Sequence, residues 1–141
     1  MNDLEVLLLL VRVEAGLARQ FDTELGRVHG VSLADFAMLR HLASAQGDRM
    51  RRTDLARAVG LSASGVTRGL APLERIGLVR RETDDRDARV AYAILTETGR
   101  ERLAEMTRTA EALSASVLSG SWSTTKTGQL RGLLALLEGR L

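Results

Sequence analysis

Apolar side chains recur along this chain at helical intervals, then briefly change rhythm. Leu4, Leu7, Leu8, Val11, Leu17, Phe21 and Leu25 suit one face of a long amphipathic helix, which Gly30 stops. In "SLADFAMLRHLASAQG", Ser32 is placed to cap a second helix, with Asp35 in a capping box and Gly47 ending the pattern. "RTDLARAVG" predicts a short third helix capped by Thr53 and closed at Gly60. "SASGVTRGLAPLERIG" predicts a fourth, capped by Ser62 and closed at Gly77. Two short runs follow, "LVRRE" and "RVAYAIL", joined by the charged "DDRDAR" into a hairpin. Thr96 then caps a long helix carrying Leu103, Met106, Ala110, Leu113 and Val117. Ser123 caps the last helix, with Leu130, Leu133, Leu134, Leu137 and Leu141 on one side. The predicted order is α-α-α-α-β-β-α-α, a mostly α chain with a small β-hairpin, uninterrupted by repeats or low-complexity tracts.

Composition narrows this picture. A chain of 141 residues with 45% hydrophobic and 27% charged residues fits one soluble globular domain. Aromatics make up only 3%, so the core must be aliphatic. The apolar run near the N-terminus, "VLLLLV", is too short for a membrane span and follows acids rather than a basic region, so the expectation is a cytoplasmic protein. The absence of cysteine excludes disulfides, thiolate metal sites and thiol redox sensing. Net charge is +2 overall, but residues 49–92 hold ten Arg against six Asp or Glu. A basic segment in an otherwise mildly acidic chain is a plausible footprint for nucleic acid, and equally a solvated basic face.

Residues 52–71, "RTDLARAVGLSASGVTRGLA", carry the strongest local signal. A helix-turn-helix needs a small residue where its helices meet, a turn residue that accepts positive φ, and an aliphatic residue locking the second helix. Ala56, Gly60 and Val66 occur in that order, and Leu55, Val59, Leu61 and Leu70 are expected to fill the space between the helices. Ser62, Ser64, Gly65, Thr67 and Arg68 then lie on the early, outward part of the second helix, where a recognition helix meets base edges in the major groove. The bland alternative is a capped helical hairpin with solvated hydroxyls. The hairpin that follows argues against it, because two basic-tipped strands after a helix-turn-helix make a winged helix.

Aspartates facing DNA phosphates make sense only if they orient the neighbouring arginines. The expectation is that Asp87 pairs with Arg89 to fix the hairpin and leaves Arg86 free to enter the minor groove. The competing view is a flexible turn of no consequence.

These residues closely resemble the MarR family of bacterial winged-helix transcriptional regulators, over nearly the whole chain. "DARVAYAILT" places Asp87, Arg89, Leu95 and Thr96 on the family's D-x-R-x-x-x-x-x-L-T signature, and Gly99 completes "LTxxG". "DLARAVGLSASGVTRGLAPLERIGLVRR" resembles the family's "LAxxLxLSxxxVTRxLxxLExxGLVxR" core, and "GVSLADFAMLRHLA" the segment before it. The resemblance implies an obligate homodimer, made by the first and last two helices, with one recognition helix per half-site of a pseudo-palindromic operator. It also implies a repressor released by a small ligand, commonly an anionic phenolic. Pro72 departs from expectation, since a proline inside the recognition helix should bend or weaken it. The first helix also lacks the Trp of urate-responsive members, as Trp122 lies near the last helix.

On this reading the chain is one domain, with residues 31–96 as the winged helix-turn-helix DNA-binding region and residues 1–30 and 97–141 as the helical dimerisation region. Independently of the resemblance, "LEVLLLLV" and "LRGLLALLEGRL" offer more aliphatic surface than a small winged-helix core can cover, which favours a symmetric pair. The alternative is packing within one protomer. In the family a pocket lies between the dimer helices and the winged domain. Arg12, Arg19, Arg40 and His41 are candidates to border it and to hold an anionic aromatic effector, although ordinary salt bridges explain such arginines as well. No cofactor is expected. No His pair stands at ligand spacing, so no metal is expected either. Without a nucleophile elbow, a phosphate-binding glycine loop or a Ser-His-Asp order, an enzyme has little support. The stronger rival is a winged helix that docks a protein partner, which salt dependence would separate from DNA binding.

Overall fold

The computed structural model describes residues 2–141. The chain divides into two compact units, one ending at Ala110 and the other spanning Glu111–Leu141. In the first, helix α1 (Asp3–His29) starts from a capping box on Asn2 and ends at Gly30 in the left-handed region. Helix α2 (Leu33–Ser44) has the Ser32–Asp35 capping box that the sequence predicts. A 3-10 turn at residues 46–48, with both Gly47 and Asp48 at positive φ, then leads into strand β1 (Arg49–Arg51). Helices α3 (Arg52–Val59) and α4 (Ala63–Arg75) follow, then strands β2 (Val79–Thr83) and β3 (Ala91–Leu95). Helix α5 (Glu97–Val117) begins in this unit.

Strand β1 corrects the predicted order. The wing is a three-stranded antiparallel sheet, ordered β1-β3-β2, rather than a two-stranded hairpin. Met50 faces Ala93 and Arg51 faces Tyr92. Three residues are too few to display alternation, and the strand exists because a distant partner supplies its ladder. The cap of α3 is a second correction. Thr53 lies inside the first turn and Arg51 occupies the cap position without a side-chain bond, because β1 runs straight into the helix and leaves no loop residue to serve.

The core is aliphatic, as composition requires. Leu39, Leu42, Leu55, Leu70, Leu73 and Met106 are all buried and bring α2, α3, α4 and α5 together. Leu61 does not join them and stays 39% exposed in the turn, and Val59 is only partly buried. Helix α4 continues through Pro72 to Arg75, and the Ile76 amide donates to the Pro72 carbonyl at 3.2 Å. At the start of α5, a Cβ on Gly99 would overlap the Leu78 carbonyl, so the approach of α5 to the α4–β2 corner requires glycine. Thr96 fixes the same corner. Its hydroxyl donates to the Gly77 carbonyl at 2.6 Å and accepts from the Gly99 amide at 3.0 Å. His29 Nε2 lies 2.8 Å from Thr109 Oγ1, joining the end of α1 to α5.

The second unit contains helix α6 (Thr124–Glu138), capped by Ser123, whose hydroxyl accepts from the Lys126 amide at 3.2 Å. No residue of α6 is buried. Leu133 and Leu136 are 66% and 71% exposed. The first turns of α1 share this character, with Leu4, Leu8 and Val11 all exposed.

Candidate nucleic-acid interface

The turn between α3 and α4 is built by backbone geometry. Gly60 sits at φ 69°, where a side chain would be strained, and its amide turns back to the Arg57 carbonyl at 3.3 Å. Leu61 then donates to the Ala56 carbonyl at 2.9 Å, which closes the end of α3. Behind the turn Ala56 and Val66 are buried, so the two helices are tied to the core by their inner faces.

The outer face of α4 presents the residues singled out by sequence, in differing states. The Ser62 hydroxyl accepts from the Gly65 amide at 3.0 Å and lies 3.1 Å from the Ser64 hydroxyl, so part of its capacity goes to capping. The Thr67 hydroxyl donates to the Ala63 carbonyl at 3.1 Å, which leaves its acceptor capacity unspent. Thr67 and Arg68 are exposed. Gly65 is partly buried in the first turn of α4.

The wing tip shows where its aspartates point. Asp84 Oδ1 accepts from the Arg86 amide at 2.8 Å and the Asp87 amide at 3.2 Å, folding the loop onto itself. The Asp84 amide donates to the Val90 carbonyl at 2.9 Å, and Val90 donates to Asp87 at the same distance. Asp87 Oδ1 in turn accepts from the Arg89 amide at 3.0 Å and from Arg89 Nε at 3.2 Å. The amide of Arg89 first, and its guanidinium second, hold the Asp87 carboxyl below the usual aspartate range. Two of the three carboxylates therefore bind the loop's own amides. Arg86 and Arg89 project into solvent, with the Arg89 side chain 92% exposed.

The solvent face of the sheet holds residues that sequence reasoning missed. Arg51 stands opposite Tyr92 in the ladder, and the Tyr92 side chain is the main cause that raises the Arg51 guanidinium above its ordinary value, with smaller contributions from Asp54 and Asp84. The Arg49 guanidinium stacks 4.0 Å from the centre of the Tyr92 ring and reaches Glu82 at 3.6 Å, and Arg80 meets the same carboxylate at 2.9 Å. These groups brace the wing from its base. A further pair, Arg52 with Glu74 at 2.7 Å, ties the first turn of α3 to the last turn of α4.

The effector candidates are scattered. Arg12 lines a hollow along α1 with Glu5, Leu8 and Leu9, and none of Arg19, Arg40 and His41 lines it. Arg40 lies 5.7 Å from the centre of the Phe36 ring on its own helix. His41 is partly buried in the last turn of α2, and Arg19 is exposed on α1. Among the described residues, no group of His, Asp and Glu is arranged to hold a metal ion, and no helix is long and apolar enough to cross a membrane.

Residues 29–90, which contain the helix-turn-helix and most of the wing, match the sequence model of the MarR family. An uncharacterized HTH-type transcriptional regulator, YdgJ of Bacillus subtilis (strain 168), is 35% identical over 74 residues; the match spans 52% of this chain and 44% of that relative's length. The fold is similar to that of the transcriptional regulator BldR from Sulfolobus solfataricus, with a TM-score of 0.86, 26% identity and full coverage of both chains. It is also similar to Sco3205, a MarR family transcriptional regulator from Streptomyces coelicolor solved in complex with DNA. There the TM-score is 0.87 at 26% identity, covering 100% of this chain and 89% of the other.

Proposed function

From the match of residues 29–90 to the MarR family, we propose that this chain is a sequence-specific DNA-binding transcriptional regulator of that family. The observation that carries this reading is the exposure of Ser64, Thr67 and Arg68 on α4 together with that of Arg86 and Arg89 on a wing tip braced by its own aspartates. Helix α4 enters the major groove and reads base edges with Thr67 and Arg68, while Ser62, Ser64 and the Gly65 backbone meet the phosphates beside it. Arg86 enters the adjacent minor groove, and Arg89, steadied by Asp87, contacts the backbone. The division of labour proposed from sequence stands beside this: residues 31–96 bind DNA, and residues 1–30 and 97–141 form a homodimer.

The exposed leucines of α1 and α6 are the surface such a homodimer would cover. A two-fold axis through it places one α4 in each half-site of a pseudo-palindromic operator, about 34 Å apart. The reading extends to a cytoplasmic repressor whose affinity for DNA is lowered by a small anionic aromatic ligand, met by some of Arg12, Arg19, Arg40 and His41.

Fluorescence anisotropy of the purified protein tests the reading, against the duplex upstream of its own gene, with scrambled competitor and a salt series. Binding that survives the competitor and weakens steeply with salt is expected. Binding indifferent to salt, or equal for the scrambled duplex, would refute sequence-specific recognition and favour a winged helix that docks a protein.

A further inference from the structure

We propose that the Arg52–Glu74 ion pair is a splint across Pro72 that sets the pose of α4, which makes both residues positioning residues for DNA recognition. The proposal rests on the reading of α4 as the recognition helix.

Three observations carry it. The first is what holds α4 in place. Val66, Leu70 and Leu73 are buried, but apolar contact is non-directional and leaves rotation and slide of a helix weakly fixed. The second is the interruption in the helix. Pro72 has no amide to give the Arg68 carbonyl, and its ring crowds that carbonyl, so the ladder fails between the outward-facing first turns and the final turn. Helix α4 nevertheless runs on to Arg75.

The third observation lies two residues past the proline. Glu74 Oε1 accepts from Arg52 Nη1 at 2.7 Å, across 22 residues of sequence. The side chains are 12% and 29% exposed, and no other ion pair among the described residues is so withdrawn from water at both partners. Arg52 is also a firm anchor, because it follows directly on β1, which is paired to β3 through Arg51 and Tyr92. A half-buried ion pair gains little net stability from its own attraction, and its best-attested use is to fix register. Here the register is that of the final turn of α4, which joins the outward-facing turns across the one ladder bond that Pro72 cannot make. Arg52 is too withdrawn to act as a phosphate contact itself, so any effect on DNA passes through α4.

The test compares the full-length protein with Glu74→Gln, the swap Arg52→Glu/Glu74→Arg, Pro72→Ala, and Pro72→Ala/Glu74→Gln, each verified by thermal melt to be folded at the assay temperature. The probe is the upstream duplex that the unaltered protein selects over scrambled sequence. Glu74→Gln is expected to weaken selective binding about tenfold, with an unchanged salt slope because no phosphate contact is lost. The swap recovers most of the loss. In the Pro72→Ala background, where the ladder is whole, Glu74→Gln costs about threefold or less. An equal loss in both backgrounds would overturn the splint, as would a folded swap that recovers nothing or a salt slope that falls.

Amide hydrogen exchange reads the same device without DNA. Glu74→Gln should speed exchange at residues 73–76 in the natural background and much less with Pro72→Ala. Unchanged protection overturns the splint whether or not the protein binds DNA. Failure of the unaltered protein to prefer any upstream duplex instead overturns the function on which the splint's purpose depends.

Discussion

Helix α6 is richer in leucine than α4, yet α4 buries Val66, Leu70 and Leu73 whereas α6 buries nothing. Hydrophobicity alone does not decide which helix becomes core. The apolar residues of α4 lie on one side, with Thr67 and Arg68 exposed on the other, so the helix has an inside and an outside. In α6, Leu130, Leu133, Leu134 and Leu136 are all exposed. A surface of that kind is stable in water when something else covers it. The contrast separates residues that make the fold from residues that make an assembly, and it can be broken by substitution.

The largest effect is expected in the core. Leu70→Ala should lower the free energy of unfolding by about 2–5 kcal/mol, because it removes a fully buried side chain from a site bounded by several helices. Leu133→Ala, measured by denaturant titration at concentrations low enough to keep the protein monomeric, should change it by less than about 0.5 kcal/mol. Comparable losses at the two positions would mean that α6 is already packed within the protomer, and the contrast would fall.

Next in size is the assembly itself. If α6 is covered by a second copy, Leu133→Asp/Leu136→Asp should convert a dimer into a protomer in sedimentation equilibrium while leaving the circular dichroism spectrum intact. Operator binding should then weaken by about a hundredfold, since two half-sites are no longer engaged together. A natural protein that sediments as a monomer at micromolar concentration would assign α6 some other cover.

Much of the core region was legible in sequence because its signals are local. Ser32 with Asp35, Ser62 before α4, Thr96 before α5 and Gly60 in the turn each act on amides within a few residues, so the neighbouring letters suffice. Asp87 with Arg89 belongs to the same class, being two residues apart. What sequence did not reveal is non-local. Strand β1 is three residues long and exists through its pairing with β3, some forty positions away. Arg51 with Tyr92 and Arg52 with Glu74 join charged or polar groups from separate elements, and such pairs leave no periodicity. The inward turn of Asp84 onto the Arg86 and Asp87 amides was equally invisible, because three aspartates in one loop look alike until the backbone is closed. Leu61 misled for the opposite reason. Its apolar character matched the core, but the turn holds it 39% exposed.

The outward side of α4 sharpens the contrast at a smaller scale. Arg68→Ala should weaken operator binding by about 1–3 kcal/mol and reduce the preference for operator over altered sequence. Arg86→Ala should weaken binding to all sequences and lower the salt slope by about one. Competition against single-site operator variants distinguishes the two. If both substitutions act alike on every sequence, α4 is not reading bases, and its exposed face resembles that of α6 in lacking a specific polar partner.

The smallest expected effect lies in the wing, where charge holds what burial holds in the core. The Asp87 carboxyl is depressed below the usual aspartate range, by the Arg89 amide chiefly and the Arg89 guanidinium next. A depressed carboxylate stabilises the folded loop above its unfolded pKa, and that contribution disappears as pH falls through the folded pKa. The wing should therefore be indifferent to pH near neutrality and loosen only in acid, below the ordinary aspartate range. Carbon-detected NMR titration of the Asp87 carboxyl follows it directly. Arg89→Ala should raise the pKa only part of the way to its ordinary value, because the residue 89 amide, the larger cause, survives the substitution. Titration of the unaltered protein at the ordinary aspartate value would show that the loop is not held by Asp87, and that Arg89 moves freely.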